Sequence, residues 1–427
     1  MSDHRRVHAA VARPLEPEGR AGRLLTRLPR PILVMAPAAI VLAIAAVTPE
    51  PTRLGFATDL DVYRIYSVDI LAGLAPYRNV QIEYPPLAIA PMVIPLLGAP
   101  AGLDPSGYLW RFAAMQAAIL VAVGWLIQRL TGASRGALGL WTVLAGLSWV
   151  AILLRYDIWP VASTVAAVLL ADRRRPGAAG VALGLGTMLK LFPAALLPIL
   201  AMHALVRRDG WGLFRLVAGW AAAVAMVQGA AWLVAGPDSL GWLRYQADRG
   251  LQVESMGASL LLGLHLFTGY PVEAGFGFGS VQVEAAAAPL LAAISPVVVG
   301  LLLLAAAAIT ARRFRADQSR LGHVPARALG LACLAVVVAL LVGSKVLSFQ
   351  YMLWLLPFAP FLAVRSRRLA VGIAGLSTWI YTWDYVGLWH FQPEMILALL
   401  VRNALLVWFA GQVLRELWGG AGEGRPA

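Results

Sequence analysis

The chain carries little charge and almost no cysteine. Only 13% of its 427 residues are Asp, Glu, Lys or Arg, whereas a soluble domain has about a quarter. Hydrophobic residues make up 60% of the chain, which excludes a water-soluble domain and predicts a polytopic membrane protein. The one cysteine, Cys333, lies inside an apolar run, so a disulfide framework and a cysteine-based metal site are excluded.

The signatures of ATP-dependent and metal-dependent enzymes are missing as well. The sequence has no Walker A loop, no H-E-x-x-H and no G-x-S-x-G, and its six histidines are scattered. We therefore expect no cofactor and no bound metal. The net charge of +13 would indicate nucleic acid as the partner of a soluble protein. Here the arginines lie between apolar segments, so nucleic acid is excluded.

Apolar runs separated by basic turns predict an all-α membrane domain of about twelve spans, each needing roughly 20 residues or somewhat fewer. The runs cover residues 31–48, 107–128, 136–153, 158–171, 177–189, 191–206, 214–235, 289–310, 327–343, 351–364, 369–383 and 395–414. Two further apolar pieces, 84–98 and 256–268, are left open. The chain then divides into a disordered basic tail (1–30), a membrane domain (31–414) with long outer loops at 49–106 and 236–288, and a second tail (415–427).

Arginine clusters predict the orientation of the chain. Runs such as "DRRR" (172–175) and "ARRFRADQSR" (311–320) belong on the cytosolic side of the membrane, together with both termini. The intervening loops then face outward and hold most of the unusual polar sequence. We expect a multi-pass protein of the plasma membrane whose functional site is extracytoplasmic.

The first predicted outer loop contains "FATDLDVYRIYSVDILAGLAPYRNVQIEYPPL" (56–87), which is rich in carboxylates. A desolvated carboxylate at Asp59 or Asp61 is a candidate general base. The alternative is that Asp59 caps a helix over residues 60–71. Glu83 precedes Pro85 and Pro86, which force the chain to turn, and a carboxylate at that depth has a partner or a function.

Two isolated lysines stand out, because they are the only lysines among 35 basic residues. Lys190 and Lys345 both fall on the predicted outer side, against the positive-inside tendency. Each can simply extend to water, but we favour a phosphate site. Arg249 of "RGLQVES", followed by Gly250, is either a solvated loop charge or a ligand contact.

Three other polar groups have a structural alternative. Arg155 and Asp157 of "RYDIWP" are expected to pair with each other or to contact a ligand. Glu254 belongs to a solvated loop or to a site. His390 lies in "YTWDYVGLWHFQPE" (381–394), which forms an interfacial aromatic belt or a platform for a sugar ring.

Six segments in their order resemble the polytopic GT-C glycosyltransferases. The match is closest to the actinobacterial mannosyltransferases of glycosyltransferase family 87, which use polyprenyl-phosphate mannose. The segments are "DLDVYR", "GLAPYRNVQIEYPPLA", "RYDIWP", "LKLFPAALLP", "RGLQVES" and "SKVLSFQYMLWLLP", from residue 55 to residue 360. The resemblance implies a GT-C fold with its active site in the first outer loop. It also implies metal-free, inverting transfer of a sugar from a polyprenyl phosphate to a hydroxyl of a glycolipid or polysaccharide.

The resemblance also implies roles for individual residues. Its D-L-x-V-Y pattern carries the catalytic base onto Asp59, with Asp61 as the runner-up because it occupies the variable position. Lys345, Arg249 and Lys190, in that order, are candidates for holding the donor phosphate. Candidates for binding the sugar or the acceptor are Glu83, Tyr84, Arg155, Asp157, Glu254, Gln350, Tyr351 and His390.

The expected partners are therefore a lipid-linked sugar donor, a lipid or polysaccharide acceptor and membrane lipids, around a monomeric enzyme. The alternative is a transporter or flippase of a lipid-linked sugar. A transporter would place polar residues at the middle of the spans, whereas here they gather at one face.

Overall fold

The computed structural model describes residues 27–47, 59–99 and 104–419, and this part of the chain is almost entirely helical. Of the predicted tails and first outer loop, residues 1–26, 48–58, 100–103 and 420–427 lie outside the described part. The helices are α1 (Arg30–Val47), α2 (Asp59–Leu71), α3 (Ile89–Val93), α4 (Pro105–Leu130), α5 (Arg135–Leu147), α6 (Trp149–Leu154), α7 (Ile158–Asp172), α8 (Pro176–Leu189), α9 (Leu197–Val206), α10 (Gly210–Ala235), α11 (Gly241–Asp248), α12 (Met256–Thr268), α13 (Ala288–Leu321), α14 (Ala326–Gly343), α15 (Val364–Trp389) and α16 (Pro393–Gly419).

Six helical stretches are long and apolar enough to cross a membrane: α1, α4, α10 continued through α11, α13, α14 and α16. Shorter apolar helices, among them α5, α7, α8 and α12, pack with them. The prediction of an all-α polytopic membrane protein is confirmed. Its core surrounds α14, which is almost completely buried, whereas α13 and α10 leave most of their apolar side chains on the outside.

The span predicted at residues 351–364 is wrong. Residues Phe349–Trp354 and Ala359–Phe361 form short 3₁₀ turns, and the segment is buried among the helices. It is apolar because protein surrounds it. Pro357 and Pro360 remove backbone donors that a continuous helix would need.

The two ends of the bundle differ in chemistry. α7 ends at Asp172, just before Arg173, Arg174 and Arg175, and α8 returns to end at Leu189, just before Lys190. Arginine-rich turns therefore alternate along the chain with turns that carry the candidate site residues. The arginine end is joined by ion pairs, as between Arg327 and Glu416 (3.2 Å).

A small β structure covers the other end. β1 (Glu273–Gly277) and β2 (Ser280–Glu284) form an antiparallel hairpin with Gly277 opposite Ser280. Its two-residue loop, Phe278–Gly279, has positive φ at both positions (53° and 65°), the geometry of a type I′ turn. The second position is glycine, which adopts this conformation without steric cost.

The loop from residue 249 to 255 runs beside this hairpin. It begins at Arg249 and is hydrogen-bonded to the backbone of Lys345. The Val253 amide donates to the Val281 carbonyl (3.0 Å) and the Val283 amide to the Leu251 carbonyl (2.8 Å). On the other side, the Gln252 amide donates to the Lys345 carbonyl (3.0 Å). Extended backbone hydrogen bonds therefore hold this loop between the hairpin and the segment that follows α14.

Candidate active site

A cavity of about 800 Å³ lies at the end of the bundle that holds the hairpin. Its wall includes residues from α2, α11, α15, the hairpin and the segments after α6, α8 and α14. Nine of the residues proposed from sequence line it: Asp59, Glu83, Tyr84, Arg155, Lys190, Arg249, Lys345, Gln350 and Tyr351. Asp61, Asp157, Glu254 and His390 do not.

Helix α2 turns Asp59 toward the cavity and Asp61 away from it. The helix begins at Asp59, and each helical residue rotates by about 100°, so Asp61 occupies a different face. Oδ2 of Asp59 pairs with Nη1 of Arg155 and accepts from the hydroxyls of Tyr84 (3.3 Å) and Tyr63 (3.5 Å). Within the described residues Oδ1 of Asp59 has no hydrogen-bond partner, so one carboxylate oxygen is anchored and the other is left for a ligand.

The expected pairing of Arg155 with Asp157 is wrong. Arg155 ends α6 with extended backbone (φ −134°, ψ 143°), and the chain turns before Asp157, so the two side chains diverge. Asp157 is 1% exposed; the amine of Lys190 donates to both of its oxygens (2.7 Å each) and the indole of Trp354 donates to Oδ1 (2.9 Å).

Lys190 is enclosed by this pairing. Its Nζ also lies over the rings of Tyr156, Tyr351 and Trp354, at 5.3, 5.2 and 5.8 Å from their centroids. Carboxylate contact and cation–π contact both stabilise an ammonium. Lys190 lines the cavity with its charge already compensated.

Arg249 and Lys345 are in a different electrostatic situation. Arg249 donates to the hydroxyl of Ser280 (3.2 Å) and Lys345 to the carbonyl of Ala247 (2.7 Å). In the parts of the chain that the structure describes, neither has a carboxylate within salt-bridge distance. Burial, reinforced by the positive charge of Arg249, lowers the pKa of Lys345, and the nearby carboxylate of Asp248 opposes that shift. Two cations whose hydrogen-bond acceptors are neutral oxygens can attract an anion.

Part of the cavity wall is apolar and comes from membrane helices. Its residues are Leu191 and Ala195 before and within the turn that leads into α9, Val299 of α13, and Leu340 and Leu341 of α14. Sequence reasoning missed them because an apolar residue in a span carries no individual signal. The cavity is thus amphiphilic, with cations on one part of its wall and hydrocarbon on another.

Glu83 and Tyr84 connect α2 to α11. Oε2 of Glu83 accepts from the Tyr66 hydroxyl (2.8 Å), and the Glu83 carbonyl accepts from the Gln246 amide (3.1 Å). The Tyr84 ring packs edge-on against Tyr156 at 5.4 Å. These contacts hold both side chains at the cavity wall.

Glu254 lies behind the wall. It is 1% exposed, its Oε2 pairs with Arg402 of α16 (3.2 Å), and its Oε1 accepts from the hydroxyl of Tyr385 (3.1 Å). Burial raises the pKa of Glu254, and Arg402 opposes that rise. The carboxylate thus holds Tyr385, which does line the cavity.

His390 lies just beyond the end of α15 and is exposed. Trp389, one residue earlier, lines the cavity instead. The hairpin residues Phe276 and Phe278 also line it and were missed, although the alternating "GFGFG" of 275–279 is a hairpin signal. Among the described residues no group of three or more His, Cys, Asp and Glu could hold a metal ion.

Comparison with known families supplies an independent finding. Residues 83–344, more than half of the chain, match the family model of glycosyltransferase family 87. A search of curated proteins gave no match. The matched region contains Glu83, Arg155, Lys190 and Arg249 of the cavity wall, while Asp59 and Lys345 flank it. The chain therefore belongs to glycosyltransferase family 87, as its sequence predicted, and is a glycosyltransferase built on membrane helices.

Proposed function

We propose that the protein transfers a sugar, mannose by its resemblance, from a polyprenyl phosphate to a hydroxyl of a glycolipid or polysaccharide, at the outer face of the membrane and with inversion. The observation that carries this proposal is the composition of one cavity. Asp59, the cation pair Arg249–Lys345 and the apolar wall from α13 and α14 all line it.

The proposed class of donor is inferred from the two parts of the cavity wall, one apolar and one cationic. A polyprenyl phosphate joins a long hydrocarbon chain to an anionic head, and each part has a matching surface. Val299, Leu340 and Leu341 offer apolar contact to the isoprenoid, and Arg249 and Lys345 offer charge to the phosphate. The phosphodiester of the donor has one negative charge and the leaving lipid phosphate gains a second, so preorganised cations stabilise the transition state more than the ground state.

The base follows from the geometry of Asp59. Its Oδ1 takes the proton of the acceptor hydroxyl while Oδ2 stays anchored by Tyr63 and Tyr84. The acceptor oxygen forms a bond to the anomeric carbon as the bond from that carbon to the phosphate oxygen breaks, and the electron pair leaves with the phosphate. One direct displacement inverts the anomeric centre.

The remaining wall residues supply sugar contacts. Glu83, Tyr84, Gln350 and Tyr351 offer hydroxyl, amide and carboxylate groups to sugar hydroxyls. Lys190, whose charge is compensated by Asp157, serves to hold the aromatic wall rather than the phosphate.

The outward orientation is supported by the two ends of the bundle. The cavity lies away from the arginine-rich turns, which the positive-inside rule assigns to the cytosol. A lipid-linked donor suits that face, because nucleotide sugars are not available there. The flippase alternative has lost its support, since the family is one of glycosyltransferases and most of the residues proposed from sequence for the site line one cavity.

The test replaces each candidate base in turn and measures transfer from labelled polyprenyl-phosphate mannose in membranes. We expect Asp59→Asn to reduce transfer by about a hundredfold or more, at unchanged protein level. Asp61→Asn, which alters a carboxylate of the same helix outside the cavity, retains transfer. Loss of activity only in Asp61→Asn means that the base assignment is wrong, and full activity in both means that the proposed mechanism is wrong. A panel of other labelled polyprenyl-phosphate sugars identifies the sugar.

A further inference from the structure

The ion pair between Arg155 and Asp59 poses a chemical problem for the proposed function, on which this inference rests. An adjacent guanidinium favours the ionised carboxylate and so weakens its affinity for a proton. A general base must accept a proton in the transition state. Asp59 held permanently by Arg155 would therefore be a poor base.

The surroundings of the pair show that the guanidinium of Arg155 has one buried N–H donor, at Nε, without a partner among the described residues. The guanidinium carbon lies 5.7 Å from the centroid of the Phe349 ring. The hydroxyl of Tyr381, on α15, interacts with the same guanidinium from the cavity wall. The side chain of Arg155 is 14% exposed and lines the same cavity as Arg249 and Lys345. The planar fork of an arginine matches a phosphate with two parallel hydrogen bonds.

The neighbouring pair differs in this respect. Asp157 is engaged through both oxygens by Lys190 and by the indole of Trp354, and it does not line the cavity. The Asp157–Lys190 pair is therefore closed. The Asp59–Arg155 pair engages one carboxylate oxygen and faces the space where a ligand binds.

We propose that Arg155 is shared between the base and the leaving group: it pairs with Asp59 in the absence of donor and moves to the donor phosphate when the donor binds. Asp59 is then released to act as a base only in the complex with the donor. During transfer the acceptor proton goes to Oδ1 of Asp59, and the negative charge that leaves the anomeric carbon on the phosphate is shared by Arg155, Arg249 and Lys345. The donor phosphate therefore switches on the base.

Several titratable or charged groups face Asp59 and could affect the pH profile that the test measures. Tyr63 faces it from the same helix, Tyr84 from the loop before α3, and Arg155 from the turn between α6 and α7. Tyr381 faces Arg155 from α15. Glu83 and Lys190 line the same cavity, and Lys190 is bound to Asp157.

The experiment measures two pH profiles of the purified wild-type enzyme and compares the acid limbs, where activity falls as the pH decreases. Polyprenyl-phosphate mannose is the donor and a membrane glycolipid fraction is the acceptor. The profile of kcat/KM for the donor reports the enzyme before the donor binds, and kcat/KM for the acceptor at saturating donor reports the donor complex. We expect the first acid limb to lie about one pH unit or more below the second, because Arg155 protects the ionised Asp59 only before the donor binds. A single common acid limb overturns the proposal.

Variants separate this role from a structural one. Arg155→Gln is expected to bring the two limbs together at the higher pH, whereas Arg155→Lys, which keeps the charge, retains a separation. Arg249→Gln is the matched control, because it removes a cavity cation that does not contact Asp59. It raises the KM for the donor and leaves the separation intact. Separate limbs in Arg155→Gln contradict the proposal, and the wild-type comparison stands even if that variant does not fold.

Failure of this inference is distinguishable from failure of the proposed function. If Asp59→Asn retains transfer, the proposed mechanism itself has failed. If Asp59→Asn is inactive and the wild-type limbs coincide, only the movement of Arg155 is wrong.

Discussion

At the scale of single residues, the two lysines of the chain stand out equally in the sequence but have different electrostatic environments in the structure. Both were unusual for the same reason, their rarity among 35 basic residues. Lys190 is bound to a buried carboxylate and surrounded by aromatic rings. Lys345 donates to a backbone carbonyl and lies close to the positive charge of Arg249. Only Lys345 has charge left for an anionic ligand.

Lys345 therefore predicts an alkaline limb in the donor profile. Burial and Arg249 lower the pKa of Lys345 below its usual value. The ammonium is fully charged below that pKa and loses its charge as the pH rises through it, so kcat/KM for the donor falls at alkaline pH. Lys345→Arg stays charged throughout, and its limb is expected at higher pH. The measurement is kcat/KM for the donor between neutral and alkaline pH.

Lys345→Gln is the control for that experiment. It has no charge at any pH and is expected to lower kcat/KM by about tenfold or more near neutral pH, with the alkaline limb weakened. Identical limbs in wild type and Lys345→Arg would show that Lys345 does not hold the phosphate.

Which residues could be identified from sequence depends on whether their type was unusual for their position. Asp59 and Lys345 are ionic groups beside apolar runs, so each carried a signal of its own. The partners of these charged groups were not predictable. Glu254 and Arg402 are in contact although 148 positions separate them in sequence. Arg155 pairs with Asp59 because of the backbone direction at the end of α6. Val299 had no signal, because an apolar residue in a span looks the same at a lipid face and at a cavity.

At the scale of helices, α15 shows how a break in an element builds the site. Asp384 leaves the helical conformation (φ −157°, ψ 72°), and its Oδ1 accepts the amide of Gly387 (2.7 Å), which caps the second half of the helix. Beyond the break Tyr385 and Trp389 line the cavity. The sequence predicted an aromatic cluster here but not the break, since Asp384 is an ordinary polar residue in that pattern.

Hydropathy likewise predicted helices without predicting whether each one is buried inside the bundle or exposed on its outside. α13 and α14 are similarly apolar, yet α14 forms the core and α13 is largely exposed on the outside of the bundle. Burial by protein and burial by lipid both require apolar side chains. The same ambiguity produced the incorrect span at residues 351–364.

Close packing of α8 against α10 predicts a difference between two glycines of one helix. A Cβ added at Gly219 would lie 2.5 Å from the carbonyl oxygen of Gly177, a backbone atom that cannot turn aside, whereas a Cβ at Gly229 meets nothing within 4 Å. We expect Gly219→Ala to destabilise the protein by about 1–3 kcal/mol. Gly229→Ala is expected to be neutral or slightly stabilising, because alanine favours a helix by about 1 kcal/mol.

Thermal unfolding of the two purified variants in the same detergent checks this prediction. Gly219→Ala should unfold at a lower temperature than wild type, and Gly229→Ala should not. Equal unfolding temperatures would mean that α8 and α10 are not in direct backbone contact. Because α8 ends at Leu189, just before Lys190, its displacement should also lower transfer activity.

At the scale of the whole molecule, the two ends of the helix bundle carry different groups. Arginines of the turns after α7 and α9 and of the last turns of α13 lie at one end, and the cavity with its hairpin lies at the other. The asymmetry that orients a membrane protein during insertion thus separates the arginine-rich turns from the charged residues of the proposed site. It makes the side of the membrane on which the cavity opens a property that can be measured directly.

Single-cysteine labelling in intact cells tests that orientation, and the chain is well suited to it because its one cysteine, Cys333, is completely buried. Gly277→Cys places a thiol on the hairpin, and Gly210→Cys places one at the arginine-rich end, at the first residue of α10. At both positions an added Cβ meets nothing within 4 Å. A membrane-impermeant maleimide is expected to label Gly277→Cys in intact cells, Gly210→Cys only after permeabilisation, and the parent protein in neither case. The reverse pattern would place the cavity in the cytosol, where nucleotide sugars are available, and would remove the reason for a lipid-linked donor.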